Sequence, residues 1–145
     1  MSETAAKPLV NRRTIRVQWG ECDSARIVFY PNYFIWFDEA TAALFEKAGM
    51  WRRMVVEAAG VGTPIVDARA SFMIPATYGD ELEMESFVER WGVKSFTVRH
   101  RLYKDGQLAA DGYETRVWAM RDPADERRLK ATPIPEEIKA RFRVP

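Results

Sequence analysis

Between Tyr33 and Ala48 the apolar positions recur three and four residues apart. Tyr33, Phe37, Ala40, Leu44 and Ala48 form one row, Phe34, Thr41 and Phe45 a second beside it, and Trp36 widens the surface. That spacing is the 3.6-residue period of a helix. Pro31 suits the first helical turn, which leaves Tyr30 near the N-cap, and Gly49 is a C-terminal stop. A helix this apolar over most of its circumference is wrapped by other structure rather than laid on a surface. A second, shorter helix is expected from Trp51 to Ala59, ending near Gly60.

Elsewhere the period is two. Thr14 to Trp19 alternates like a half-buried strand, and Ile65 to Thr77 reads as another, with Pro75 marking a bulge or an edge. In Glu81 to Val88 the residues Leu82, Met84, Ser86 and Val88 share one face, while Glu81, Glu83 and Glu85 form a solvated one. Phe96, Val98, His100 and Leu102 alternate likewise, and Tyr113 to Met120 forms the last long strand. Turns fall at Tyr78 to Asp80, Lys104 to Gln107 and Arg121 to Glu126, followed by a short strand at Arg127 to Ala131. A terminal helix is expected over Ile134 to Phe142, and residues 1 to about 11 read as a solvated, flexible tail. One long apolar helix and an antiparallel meander satisfy each other if the sheet curls around the helix, giving a single α+β domain over residues 12–145.

Composition narrows the function more than the fold. The 145 residues carry 22 Lys plus Arg against 21 Asp plus Glu, a net charge of +1, which gives no support to nucleic-acid or membrane-surface binding. One cysteine makes no internal disulfide, and one histidine with one cysteine supplies no structural zinc site. The N-terminus has no apolar stretch of signal-peptide type and no run approaches transmembrane length, so a cytoplasmic location is expected. There is no Gly-x-Ser-x-Gly elbow.

The stretch from Gly20 to Phe34 carries the candidate chemistry. It sets Asp23 a few residues before the proline-started helix. A helix start presents unpaired N–H groups and positive dipole, which attract developing negative charge. A carboxylate facing such a site has two of the parts needed to attack a carbonyl and hold the oxyanion. Glu21 reads as a solvated loop glutamate, Cys22 as a small buried residue, and His100 as a hydrogen-bonded inner-face histidine.

The layout and this motif together resemble the hotdog fold, and within it the 4-hydroxybenzoyl-CoA thioesterase family of the Pseudomonas type. Supporting stretches are Val61-Gly62-Thr63-Pro64-Ile65-Val66, Lys94-Ser95-Phe96 with Arg99-His100, and Arg116-Val117-Trp118-Ala119-Met120. The resemblance implies hydrolysis of an acyl-CoA thioester with no metal or redox cofactor. It places the catalytic carboxylate on Asp23 and the carbonyl-polarising backbone N–H on Tyr30. It assigns Asp38, Trp51 and Thr63 to the acyl pocket and Lys94 to CoA. It further implies a homo-oligomer, a dimer or a tetramer made of two dimers, with sites between subunits.

The family's Asp-Pro-Ala-Gly reads Asp23-Ser24-Ala25-Arg26 here. If the glycine position needs positive φ, Arg26 is strained or the loop reshaped; alternatively, Arg26 brings a cation near the substrate. Of the family's Arg-Arg-Lys run only Lys94 remains, preceded by Gly92-Val93. Asp38 either faces water or a partner at the helix edge, or binds a phenolic hydroxyl. Two rivals to an aromatic thioester follow: a short or medium aliphatic acyl-CoA or acyl-carrier protein, and a non-catalytic module that holds an acyl thioester intact.

Overall fold

The computed structural model describes residues 7–50 and 60–144. In chain order the elements are β1 (Lys7–Pro8), β2 (Asn11–Arg16), a 3-10 turn (Trp19–Glu21), α1 (Pro31–Lys47), β3 (Val61–Gly62), β4 (Ile65–Phe72), β5 (Glu81–Trp91), β6 (Ser95–Lys104), β7 (Gln107–Val117), β8 (Ala119–Asp122), β9 (Asp125–Ala131), α2 (Glu136–Arg141) and β10 (Arg143–Val144). The helix expected at Trp51 to Ala59, and with it Trp51, lies outside the described residues.

The main sheet is antiparallel and ordered β2-β5-β6-β7-β4; β3-β8-β9 and β1-β10 form two smaller ones. Its helix-facing positions are the alternating apolar set read from the sequence: Leu82, Met84, Val88, Phe96, Val98 and Leu102 are all buried. Against them α1 buries Tyr33, Trp36, Phe37, Ala40, Thr41, Leu44 and Phe45. The approach is closest at Gly112 in β7, where an added Cβ would lie 2.6 Å from the Phe37 ring, so only glycine fits. Phe37 in turn stacks on His100, centroids 4.8 Å apart. A second apolar cluster around Leu44, Phe45, Phe96, Trp118 and Phe142 closes the other end of the helix. No helix among the described residues is long and apolar enough to cross a membrane.

Three expectations change. Residues 7–11, read as part of a solvated tail, are tied down: Lys7–Pro8 pair with β10, Leu9 N–H donates to Phe142 O at 2.8 Å, and Asn11 opens β2. Leu9 packs on the second cluster, which explains the anchoring. The strand expected to reach Thr77 ends at Phe72, because Met73 and Ile74 both donate to the Ala109 carbonyl and Pro75 has no N–H to continue a ladder. The last long strand begins at Gln107 rather than Tyr113. The Asp105-Gly106 turn has φ of 50° and 76°, the left-handed pair that lets two strands join directly in a hairpin.

Candidate active site

The segment from Trp19 to Tyr30 is built from its own backbone. Asp23 N–H donates to Ile27 O at 2.9 Å, Arg26 N–H to Asp23 O at 2.9 Å, and Cys22 bridges Val28. This is a four-residue turn whose last position, Arg26, has φ 66°. The position does need positive φ, and an arginine adopts it at a strain of roughly 1 kcal/mol. Thr77 Oγ1 holds the turn by donating to Arg26 O at 2.7 Å. The Asp23 side chain is exposed, accepts the Ala25 N–H at 2.8 Å, and has no cation on it among the described residues. It lines a cleft of about 440 Å³ with Trp19, Cys22, Arg26, Thr77 and Tyr78.

At the start of α1 the amides are nearly all committed. Val28 N–H donates to Ala76 O, Phe29 to Glu21 O, Asn32 to Phe29 O and Tyr33 to Tyr30 O, while Pro31 has no N–H. Tyr30 N–H alone in this stretch has no acceptor among the described residues. The Tyr30 ring is exposed, and the residue borders an apolar cleft of about 300 Å³ with Ile27, Val28, Tyr33 and Phe72 to Pro75. Asp23 and Tyr30 thus line different clefts, with Cys22 bordering the first and Val28 the second.

Glu21 is not a solvated loop residue. Its Oε2 accepts the Trp36 ring N–H at 2.8 Å and its Oε1 the Gln18 N–H at 2.7 Å, while its carbonyl accepts the Asn32 side chain at 2.8 Å. It therefore pins the Asp23 loop to α1. Cys22 is half-buried rather than buried. His100 is fully buried and bonds to Ser86 Oγ at 2.7 Å, Thr41 Oγ1 at 3.2 Å and Glu114 Oε1 at 3.1 Å, the hydrogen-bonded inner-face histidine that the alternation predicts.

Asp38 sits about 12 Å further along α1 than Tyr30, at 1.5 Å per residue. Its carboxylate is at the helix edge, two-thirds exposed, with Oδ1 2.7 Å from Arg116 Nη2. Arg116 Nη1 also donates to the Thr63 carbonyl at 3.0 Å, so one guanidinium joins two predicted pocket residues. Behind it Glu114 accepts from Arg116 Nε at 3.3 Å and Nη2 at 3.0 Å, and from Thr41 Oγ1. Burial would raise the Glu114 pKa. The His100 hydrogen bond and the Arg116 charge outweigh it and hold the carboxyl at about 2. Burial pushes the His100 pKa down, and Glu114 only partly restores it.

Within one chain the expected site is divided. Thr63 precedes β4, whereas Tyr30 borders its last residue and those that follow, Phe72 to Pro75, so roughly 23 Å of strand separates the ends. Lys94 is more distant still: it lies in the β5–β6 turn, while the Asp23 loop is bonded to the segment before Glu81, about 33 Å of strand away. Glu114 and Arg116 were missed as site-forming residues. Their signal is the period-two row Gly112, Glu114, Arg116, Trp118, which puts two charges on an inward face.

A family model described as "Thioesterase-like superfamily" matches residues 17–142. The chain belongs to that superfamily. Among curated thioesterases, the 4-hydroxybenzoyl-CoA thioesterase of Pseudomonas sp. (strain CBS-3) is 42% identical over 129 residues, covering 84% of this chain and 89% of that one. The structure of that enzyme superposes with a TM-score of 0.82 at 39% identity, covering 92% of this chain and 99% of the other. A mutant 4-hydroxybenzoyl CoA thioesterase complexed with 4-hydroxybenzoyl CoA gives 0.81 at 38% identity, over 92% and 98%. The gentisyl-coenzyme A thioesterase BH1999 gives 0.78 at 32% identity, over 91% and 99%. The hotdog architecture is that of these thioesterases, and the chain is a thioester hydrolase.

Proposed function

We propose that this thioesterase hydrolyses a hydroxylated aromatic acyl-CoA to the free acid and CoA, using Asp23 on the substrate carbonyl and the Tyr30 N–H on the developing oxyanion. The observation that carries this reading is the state of two groups on one segment: among the described residues, a carboxyl group with no cation on it and an amide with no acceptor. A donor aimed at an oxyanion contributes on the order of 3 kcal/mol. The same groups serve two routes. Asp23 attacks the carbonyl, CoA leaves as the thiolate, and water opens the mixed anhydride; or Asp23 takes the proton of an attacking water. The aromatic, hydroxylated acyl group follows the relatives' named substrates, and Asp38 supplies the acceptor for its hydroxyl.

Two copies complete the site. β4 is an edge strand with Ile65, Val66 and Phe72 exposed, whereas the opposite edge, β2, carries Arg12, Arg13 and Arg16. Antiparallel pairing of β4 with a second copy's β4 reverses its ends. It brings the Thr63 and Asp38 end of one chain to the Tyr30 end of the other. Lys94 joins that shared site as a CoA contact; Trp51, which the resemblance assigns to the acyl pocket, lies outside the described residues.

The test is thiol release from 4-hydroxybenzoyl-CoA, benzoyl-CoA and hexanoyl-CoA by the purified protein and by Asp23→Asn. Fast turnover of the hydroxyaroyl thioester, lost on substitution, is expected. Turnover of hexanoyl-CoA alone overturns the aromatic pocket; turnover unaffected by Asp23→Asn overturns the catalytic assignment. An intact bound thioester with no turnover makes the protein a binding module.

A further inference from the structure

The guanidinium of Arg116 is in an expensive place. The residue is 7% exposed on the inward face of β7, in a row with Gly112 and Trp118. Buried ion pairs are commonly matched or bettered in stability by apolar side chains of similar volume, so packing alone does not call for Glu114 and Arg116 there. If the pair served only the core, its bonds would end at Glu114. Instead two donors lead outward, one to Asp38 Oδ1 at 2.7 Å and one to the Thr63 carbonyl at 3.0 Å. Four of the five guanidinium N–H groups are thereby used.

We infer that Arg116 is a positioning residue that fixes the Asp38 carboxylate and the Thr63 carbonyl as a paired acceptor, selecting acyl groups that carry a hydroxyl. The inference rests on the proposed reading of Asp38 as the acceptor for the acyl hydroxyl, and adds the residue that holds it in place. A planar guanidinium holds its partners at set angles, which the point charge of a lysine does not. Glu114 orients it from behind with both oxygens, and Thr41 and His100 orient Glu114. The chain of contacts runs from the rigid centre of the core to the helix edge. Asp38 Oδ2 has no partner among the described residues, and the side chain is two-thirds exposed. A carboxylate oxygen and a carbonyl, with the nearby cation already committed, accept a hydrogen bond from a hydroxyl and repel an acyl group ending in a carboxylate.

The experiment reads binding, so that it does not depend on turnover. Affinities of 4-hydroxybenzoyl-CoA and benzoyl-CoA are measured by calorimetry for Asp23→Asn, alone and combined with Arg116→Lys, with Asp38→Ala, and with both. Thermal melts confirm folding. Should Arg116→Lys fail to fold, the amide pair Glu114→Gln with Arg116→Gln replaces it, removing both buried charges while leaving polar groups to pair with each other. The hydroxyl preference, taken as the ratio of the two affinities, falls about tenfold with Arg116→Lys, the size of one charged hydrogen bond. It falls by less when Arg116→Lys is added to Asp38→Ala, where only the Thr63 carbonyl is left to position. A folded Arg116 variant whose ratio stays within twofold overturns the inference, as does an equal fall in both backgrounds or an Asp23→Asn protein that binds neither thioester. Thiol release by the wild type is followed in parallel. Failure to hydrolyse with an Arg116-dependent preference retained sinks the proposed activity alone; hydrolysis indifferent to the hydroxyl sinks the Arg116 assignment alone.

Discussion

Asp23 and Glu114 are both carboxylic side chains close to α1, and the fold treats them in opposite ways. Asp23 is exposed at the end of the sheet on a loop held by backbone bonds, with one Ala25 amide on its oxygen and no cation among the described residues. Glu114 is 2% exposed in the centre of the sheet and is saturated by Thr41, His100 and two contacts to Arg116. A carboxylate whose lone pairs are all engaged is a poor base and a poorer nucleophile, but it is a firm anchor. A carboxylate left open is available to a substrate and holds little together. Under the proposed mechanism, activity and stability fall to different carboxylates, and Glu21 pins the Asp23 loop to α1.

The division predicts substitutions that affect one property and spare the other. Asp23→Asn lowers kcat/KM for the preferred thioester at least about ten-thousandfold, over 5 kcal/mol of transition-state stabilisation, and leaves the melting temperature within about 2 °C of wild type. A large melting shift in that variant would dissolve the contrast. Glu114→Ala acts the other way. It strands a buried guanidinium and removes about 4 kcal/mol, seen as a fall of about 10 °C or more in thermal denaturation.

Acid exposes the same anchor. The folded protein holds Glu114 at about 2 against an ordinary value of 4.5, so this carboxylate's contribution of about 3 kcal/mol is complete above pH 4.5 and is lost as the pH falls toward 2. His100 has its pKa lowered from 6.5 by burial, so the unfolded chain takes up its proton first, and stability begins to fall as the pH drops below 6.5. Denaturant melts from pH 7 to 3 should show both limbs, and His100→Gln should remove the upper one. Glu21→Ala loses the Trp36 and Gln18 bonds for about 2 kcal/mol, readable by tryptophan fluorescence during unfolding. The smallest effect belongs to Arg26→Gly: relief of the left-handed arginine, less the entropy of glycine, raises stability by under about 1 kcal/mol.

Periodicity alone locates α1, its proline start, the alternating faces of β5 and β6, and the Asp105-Gly106 turn, because each depends on residues a few positions apart. The same local logic marks Asp23 and the helix start as a pair: both belong to one fifteen-residue segment from Gly20 to Phe34. Folding had to decide the rest. The end of β4 at Phe72 is set by the Ala109 carbonyl, and Glu21 becomes an anchor only because Trp36 lies above it. The Asp38–Arg116 and Thr63–Arg116 contacts join residues 78 and 53 positions apart, a juxtaposition no local pattern encodes. Hydrophobic spacing is a property of neighbours along the chain, and so it can be read there. The partners of a buried charge are neighbours across the sheet, and they exist only once the helix and the strands have packed.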